Sequence, residues 1–151
     1  MAILVSEYRN GILIGTIVRD MELWTQSCTN TLPTLSGING TNNYDITACP
    51  GQTITFNVNS IDADVSQSLT MYSNNAIPNA IFNVSTSSRP VGTFTWTPTI
   101  ADARSQPYSF TVTIQDNNCP INGLQTYSFN ITVAVFSSTI IPVNSNCLLL
   151  N

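Results

Sequence analysis

The run Gly92-Thr-Phe-Thr-Trp-Thr-Pro98 and, after a short gap, Tyr108-Ser-Phe-Thr-Val-Thr-Ile-Gln-Asp116 constrain this chain more than any other part of it. Phe94 and Trp96 alternate with Thr93, Thr95 and Thr97, and Phe110, Val112 and Ile114 alternate with Ser109, Thr111 and Thr113. Successive side chains of a strand point to opposite faces, so this period of two puts one face of each strand in a core and the other in water. Threonine suits the wet face because it is β-branched and keeps its hydroxyl solvated. Pro98 has no N–H for a ladder and closes the first strand. Both runs build scaffold, and neither carries a group with evident chemistry.

Composition narrows the class. Only 8% of residues are charged, against about a quarter in ordinary globular proteins. The chain has no histidine and no lysine, and its four cations are all arginine. Such a composition fits an all-β extracellular protein better than a cytosolic enzyme. A net charge of −4 leaves no basic surface for nucleic acid or for anionic membranes. No apolar run is long enough to span a bilayer. The apolar stretch from Met1 to Val18 is broken by Glu7 and Arg9 and has no basic leader or small-residue cleavage site, so it reads as strands and not as a signal peptide. The signal for secretion is expected outside this chain.

Asn10-Gly11 is a hairpin turn signal, since a type I′ turn needs positive φ at both positions. It predicts a hairpin over residues 2–24. Residues 25–43 are rich in Ser, Thr, Asn, Gly and Pro, which reads as a linker. Strands are then expected at 44–48, 53–60, 68–73, 80–85, 93–97, 108–115 and 126–135, separated by turns. The fold class is all-β, a seven-stranded immunoglobulin- or cadherin-like sandwich preceded by a β-hairpin. Its expected core is Phe56, Leu69, Phe82, Phe94, Trp96, Tyr108, Phe110, Val112, Tyr127, Phe129 and Ile131. Two strands alone are marginal in water. The hairpin reads as the end of a preceding domain, because hairpin, Ser/Thr-rich stretch and cysteine recur in the same order at 108–147. The alternative is a hairpin docked on the sandwich. The expected division is 1–28 hairpin of the preceding domain, 29–43 linker, 44–136 sandwich and 137–151 linker to the next domain.

The residues carry a family resemblance. Gly92-Thr-Phe-Thr-Trp-Thr-Pro98, Asp102, Tyr108-Ser-Phe-Thr-Val and Asp116, with Ile61-Asp-Ala-Asp64 before Leu69, resemble the dystroglycan-type cadherin-like and putative-Ig families. Asp116-Asn-Asn-Cys-Pro-Ile-Asn-Gly123 with Tyr127-Ser-Phe-Asn-Ile-Thr-Val133 is similar to repeats in large surface proteins of gliding Bacteroidetes, and Gly15-Thr-Ile-Val-Arg-Asp-Met21 to the segment before such repeats. The resemblance implies a non-enzymatic module of a long secreted protein at the bacterial cell surface, exported by the type IX secretion system. A stalk or spacer role follows, with neighbouring domains as partners. A glycan- or protein-binding adhesin domain and a fibre subunit assembled by strand donation are the alternatives.

Nucleophilic catalysis needs a base beside the nucleophile, and without histidine or lysine the Ser-His-Asp, Cys-His and Ser-Lys arrangements are all missing. Cys28, Cys49, Cys119 and Cys147 lack the close spacing of a zinc knuckle. Calcium is the one ion to weigh. A seven-stranded sandwich brings the loop holding Asp62 and Asp64 to the same end as Asp116, Asn117 and Asn118, and calcium seeks six to eight oxygens. Against it stands the plainer reading of these residues as hydrogen-bonded turns. Disulfides are expected for the four cysteines of an extracellular chain. The topology favours Cys28–Cys119 and Cys49–Cys147, each tying a linker to the sandwich, with Cys49–Cys119 as runner-up. Tyr8, Trp24 and Tyr72 are either packing residues or an aromatic platform for sugars.

Overall fold

The computed structural model describes residues 2–22, 29–118 and 120–134. Trp24, Cys28, Cys119, Cys147 and the expected linker 137–151 lie outside these residues. The strands in chain order are β1 (Ala2–Arg9), β2 (Ile12–Asp20), β3 (Thr34–Leu35), β4 (Asp45–Ala48), β5 (Ile54–Ile61), β6 (Thr70–Ser73), β7 (Ile81–Val84), β8 (Val91–Trp96), β9 (Tyr108–Gln115) and β10 (Leu124–Val133). No α-helix occurs among them.

Two four-stranded sheets face each other, one ordered β4-β10-β9-β6 and the other β3-β5-β8-β7. This is the expected immunoglobulin-like sandwich. All pairings are antiparallel except β4, which runs parallel to the end of β10 with Ala48 opposite Val133. Period two decides which side chains meet. Phe56 and Phe94 stack at 5.0 Å across one sheet, Phe94 and Phe110 at 4.6 Å between the sheets, and Phe110 and Phe129 at 5.3 Å across the other. Val58, Val112, Ile114, Ile131 and Val133 are fully buried around them. Phe82, Tyr108 and Tyr127 pack against this core from half-buried positions. Leu35, Ile38, Ala48, Met71 and Ile77 complete it.

The outer faces carry the threonines. Thr55 meets Thr95 at 3.4 Å between β5 and β8, Thr53 meets Thr97 at 2.8 Å just beyond the ends of the same two strands, and Thr113 meets Thr126 at 2.9 Å between β9 and β10. Hydroxyls facing each other at cross-strand positions satisfy one another and keep the face neutral.

One expectation is corrected. The stretch 29–43, expected as linker, is built into the sandwich and adds an eighth strand to it. Thr34 and Leu35 pair with Ile61 and Ser60. Ser36 takes the Asn59 carbonyl through its N–H, and its Oγ accepts the Asn59 N–H at 2.9 Å. Pro33, Leu35 and Ile38 are buried. The Ser/Asn/Gly content that suggested a linker marks the bends between these anchors. One such bend is at Asn39, whose φ is 53°; its side chain accepts the Asn57 N–H at 3.0 Å, and so serves the edge of β5.

The hairpin is as expected in shape. Asn10 and Gly11 both have positive φ, 49° and 78°. Among the described residues β1 and β2 pair with each other and with no other strand, with an irregularity between Glu7 and Tyr8. Leu4, Tyr8, Ile12, Leu13, Ile17 and Val18 are all exposed.

Gly92, on the inner face of β8, has no room for a side chain: a Cβ there would overlap the Phe82 ring and lie 2.8 Å from Met71 Sδ. Adding one methyl to a filled core forces off-rotamer side chains at a cost of about 1–3 kcal/mol. Gly92→Ala is therefore expected to lower the denaturant midpoint at unchanged slope. A midpoint equal to the parent's would show that β7 can move aside freely.

Candidate functional site

The polar chemistry of the chain gathers at one end of the sandwich, where β5 and β9 finish and β6 and β10 begin. Asp116 is its centre. It follows β9 directly, and its side chain is turned in, with 2% of the residue exposed. Its Oδ1 accepts the N–H of Asn118 at 2.9 Å and of Gly123 at 2.8 Å, and its Oδ2 accepts the Asn30 amide at 2.7 Å. Its own N–H donates to the Gly123 carbonyl at 3.0 Å. Gly123 is required by this closeness, because a Cβ there would overlap Asp116 Oδ2 and sit 2.9 Å from Pro33. Burial pushes the Asp116 carboxyl up, but the donors from Asn30, Asn118 and Gly123 together outweigh it and hold the group below the usual aspartate value.

Asn30 carries the connection onward. Its Oδ1 accepts the Gln67 amide at 2.7 Å, which links the turn after β5 to the loop after β9. In that turn Asp62 Oδ1 accepts the Asp64 N–H at 2.8 Å, a local Asx turn. Asp64 Oδ2 accepts the Thr31 N–H at 2.8 Å. Arg89, from the loop between β7 and β8, donates to the carbonyls of Asp64 and Gln67. Asn117 Oδ1 accepts the Ser68 N–H at 2.8 Å. Four pieces of chain, 30–33, 62–68, 88–89 and 116–123, are thus laced together by amides, carboxylates and one guanidinium.

The residues proposed from sequence as calcium ligands, Asp62, Asp64, Asp116 and Asn117, do share this end. Asp62 Oδ1, Asp64 Oδ2, both Asp116 oxygens and Asn117 Oδ1 each accept an N–H group. Among the described residues no group of three or more Asp, Glu, His or Cys side chains is placed to hold a metal. Asp62 Oδ2 and Gln67 Oε1 are the two buried side-chain atoms in these residues without a hydrogen-bond partner. Asn30 and Gln67 were missed as participants. The signal that could have found them is their position, in the segment entering this end and beside the Asp-Ala-Asp turn.

The opposite end is built differently. β4 runs out at Ala48, whose carbonyl accepts the Ala134 N–H at 2.9 Å, and Cys49 follows, buried and disulfide-bonded. Gly51 donates to the Pro98 carbonyl at 2.7 Å. Asp102 accepts the Thr99 N–H and hydroxyl, each at 2.7 Å. The Arg104 guanidinium lies 3.5 Å over the Tyr108 ring. The cleft beneath 75–82, lined by Ile77, Phe82, Phe94 and Phe110, has a volume of about 10 Å³, room for a single water and far short of a substrate pocket. Of the three aromatics considered for sugars, Tyr8 and Tyr72 are exposed and stand on separate sheets.

A family model described as "Putative Ig domain" matches residues 36–134. The chain belongs to that immunoglobulin-like family. No curated protein matches it. Among solved structures, it is similar to the sialic acid-binding region of a Streptococcus sanguinis SK1 adhesin bound to 3'sLn, at TM-score 0.54 and 11% identity over 71% of this chain and 31% of that one. It is also similar to an endo-fucoidan hydrolase of glycoside hydrolase family 107, at TM-score 0.49 and 15% identity over 72% of this chain and 14% of that one. The chain thus spans less than a third of either structure, and at these identities the likeness speaks to fold alone. No helix among the described residues is long and apolar enough to cross a membrane.

The Asp116 clamp gives a testable consequence. Asp116→Ala removes the acceptor of the buried Gly123 N–H and of the half-buried Asn118 N–H, and with about 1–3 kcal/mol for a buried donor left unmatched a loss of about 2 kcal/mol is expected in denaturant unfolding. Because the folded-state value is lowered, the carboxylate stabilises fully above the unfolded-state value of about 3.9 and its contribution fades as pH falls through the folded value. The acid limb of stability against pH should accordingly be shallower in the variant. An unchanged limb would deny that Asp116 is charged in the fold.

Proposed function

We propose that this chain is a stalk module of a secreted bacterial surface protein, of the gliding-motility-associated, type IX-exported kind that its repeats resemble. It acts without catalysis, holding more distal domains away from the cell. The observation that carries the reading is the β1–β2 hairpin, apolar on exposed faces and, among the described residues, unpaired at both edges. A hairpin of that kind needs a sheet of its own to join. The corresponding place in this sandwich, between β4 and β6, is held by its own β9–β10 hairpin. That supports a preceding sandwich of the same polypeptide as the hairpin's home, and favours a tandem array over strand donation into a second copy. The clamp around Asp116 fits this role, since it fixes the segment entering from the hairpin side to three loops of the module.

Calcium is a secondary element of the proposal. Asp62 Oδ2 and Gln67 Oε1 are two oxygens free for a hard cation, but Asp64, Asp116 and Asn117 would have to exchange N–H partners for it. A rise of several degrees in the melting midpoint in millimolar calcium over chelator supports the ion. Coincident melts remove it. Glycan adhesion is the second reading, favoured by Tyr72 standing exposed opposite Thr113 on an uncharged part of the outer face.

The deciding experiment is the size of the native polypeptide, seen with an antibody against residues 44–135 on a denaturing gel of cell-surface protein. A band far above 16.4 kDa is expected. A band near that mass would overturn the array and bring forward the fibre or ligand-binding reading.

A further inference from the structure

We infer that the module is a covalent load shunt, with Cys28 bonded to Cys119 at one end and Cys49 to Cys147 at the other. Its use under tension rests on the stalk reading, whereas the pairing rests on the fold. Cys28 precedes Asn30 by two residues, and Cys119 follows Asp116 by three. The Asn30 amide donates to Asp116 at 2.7 Å, and Pro33 lies against Gly123. The two cysteines therefore flank one clamp. Cys49 sits elsewhere: Ala48 pairs with Val133, the last residue of β10, whereas the 116–123 loop leads into Leu124, the first. Ten residues of strand at about 3.3 Å each put these ends about 30 Å apart. A disulfide needs Cα atoms within about 7 Å, so Cys49 reaches neither Cys119 nor the residue two before Asn30. Yet Cys49 is disulfide-bonded. Within one chain its remaining partner is Cys147, and the 13 residues that separate Cys147 from Ala134 can span the distance with ease. The pair left over is the one that flanks the clamp.

Each bond forms when two thiols release two protons and two electrons to a protein disulfide of the oxidoreductase class, which leaves as a dithiol. The mechanical result follows from connectivity. Load enters at the joined pair 28/119 and leaves at the joined pair 49/147. Three backbone spans then connect these points in parallel, 28–49, 49–119 and 119–147. The shortest, about 21 residues, limits the stretched module to about 75 Å at about 3.6 Å per residue. Without the bonds the path from 28 to 147 is about 119 residues, or roughly 430 Å. Starting from a folded span of about 30 Å, unfolding the oxidised module releases about 45 Å of chain, and the reduced one about 400 Å.

Two measurements on the oxidised full chain test this. Chymotryptic mapping without reduction is resolved by Tyr44, which separates Cys28 from Cys49, and by Tyr127 and Phe129, which separate Cys119 from Cys147. Crosslinked peptides 28–119 and 49–147 are expected. A 49–119 or 28–49 peptide, or free thiols throughout, overturns the pairing. Pulling single molecules by their ends should give, for the step in which the sandwich opens, a contour gain of about 45 Å, rising roughly ninefold in reductant, with the β1–β2 hairpin, outside both bonds, opening as a separate step. A gain near 400 Å in the oxidised protein overturns the shunt. Neither readout depends on the size of the native polypeptide, so the pairing can stand where the array reading falls, and the reverse.

Discussion

The sandwich depends on one column of stacked rings. Phe56, Phe94, Phe110 and Phe129 come from four strands and two sheets, and each is within 1–2% of complete burial. Their nearest centroid separations, 4.6 to 5.3 Å, lie where offset stacking is favourable beyond the burial of area. The other core residues are placed by this column. The valines and isoleucines fill the space above and below it, and Gly92 is a glycine because Phe82 and Met71 lean into the place a side chain would take. A chain with so few charges has little else with which to fix the register of its sheets, and the rings supply it.

At the end near Asp116 the constraint changes character. Three loops and the entering segment meet there largely through polar groups, with Pro33 buried among them, and their backbone groups must still find partners once water is excluded. Asp116 answers this with one buried carboxylate serving two backbone donors and one side-chain amide. Arg89 does the reverse, offering a cation to backbone carbonyls. Both ionic groups are spent on the chain itself, so the same residues that attract attention as metal ligands or reactive acids are the mortar of the joint.

Much of this was legible in the sequence. Strict alternation gave β9 to the residue and the inward faces of β5, β8 and β10, because burial on one face repeats every second position and nothing else in the chain imitates that. Asn10-Gly11 was readable because few residue pairs accept two positive φ angles. The 29–43 stretch was not, since its polar and turn-forming residues look alike whether they float or are anchored, and only Leu35, Ile38 and Pro33 betray the anchoring. The clamp was half legible. The topology brought Asp62, Asp64, Asp116 and Asn117 to one end, but whether a carboxylate faces a cation or an N–H depends on loop geometry that spacing does not encode. Asn30 and Gln67 lie in loops without any periodic signal, and their roles come from where those loops fold back.

The clamp's reliance on backbone and side-chain amides donating to buried carboxylate and amide oxygens has a consequence for the water in which such a module works. Dissolved ions weaken attractions between exposed opposite charges within about 10 Å at 0.1 M, yet they have little hold on a hydrogen bond between a buried carboxylate and an N–H. With 8% of its residues charged and its cross-strand ladders made from threonine, this domain presents almost nothing for ionic strength to act upon. At equal calcium, its stiffness should be the same in fresh water as in brine.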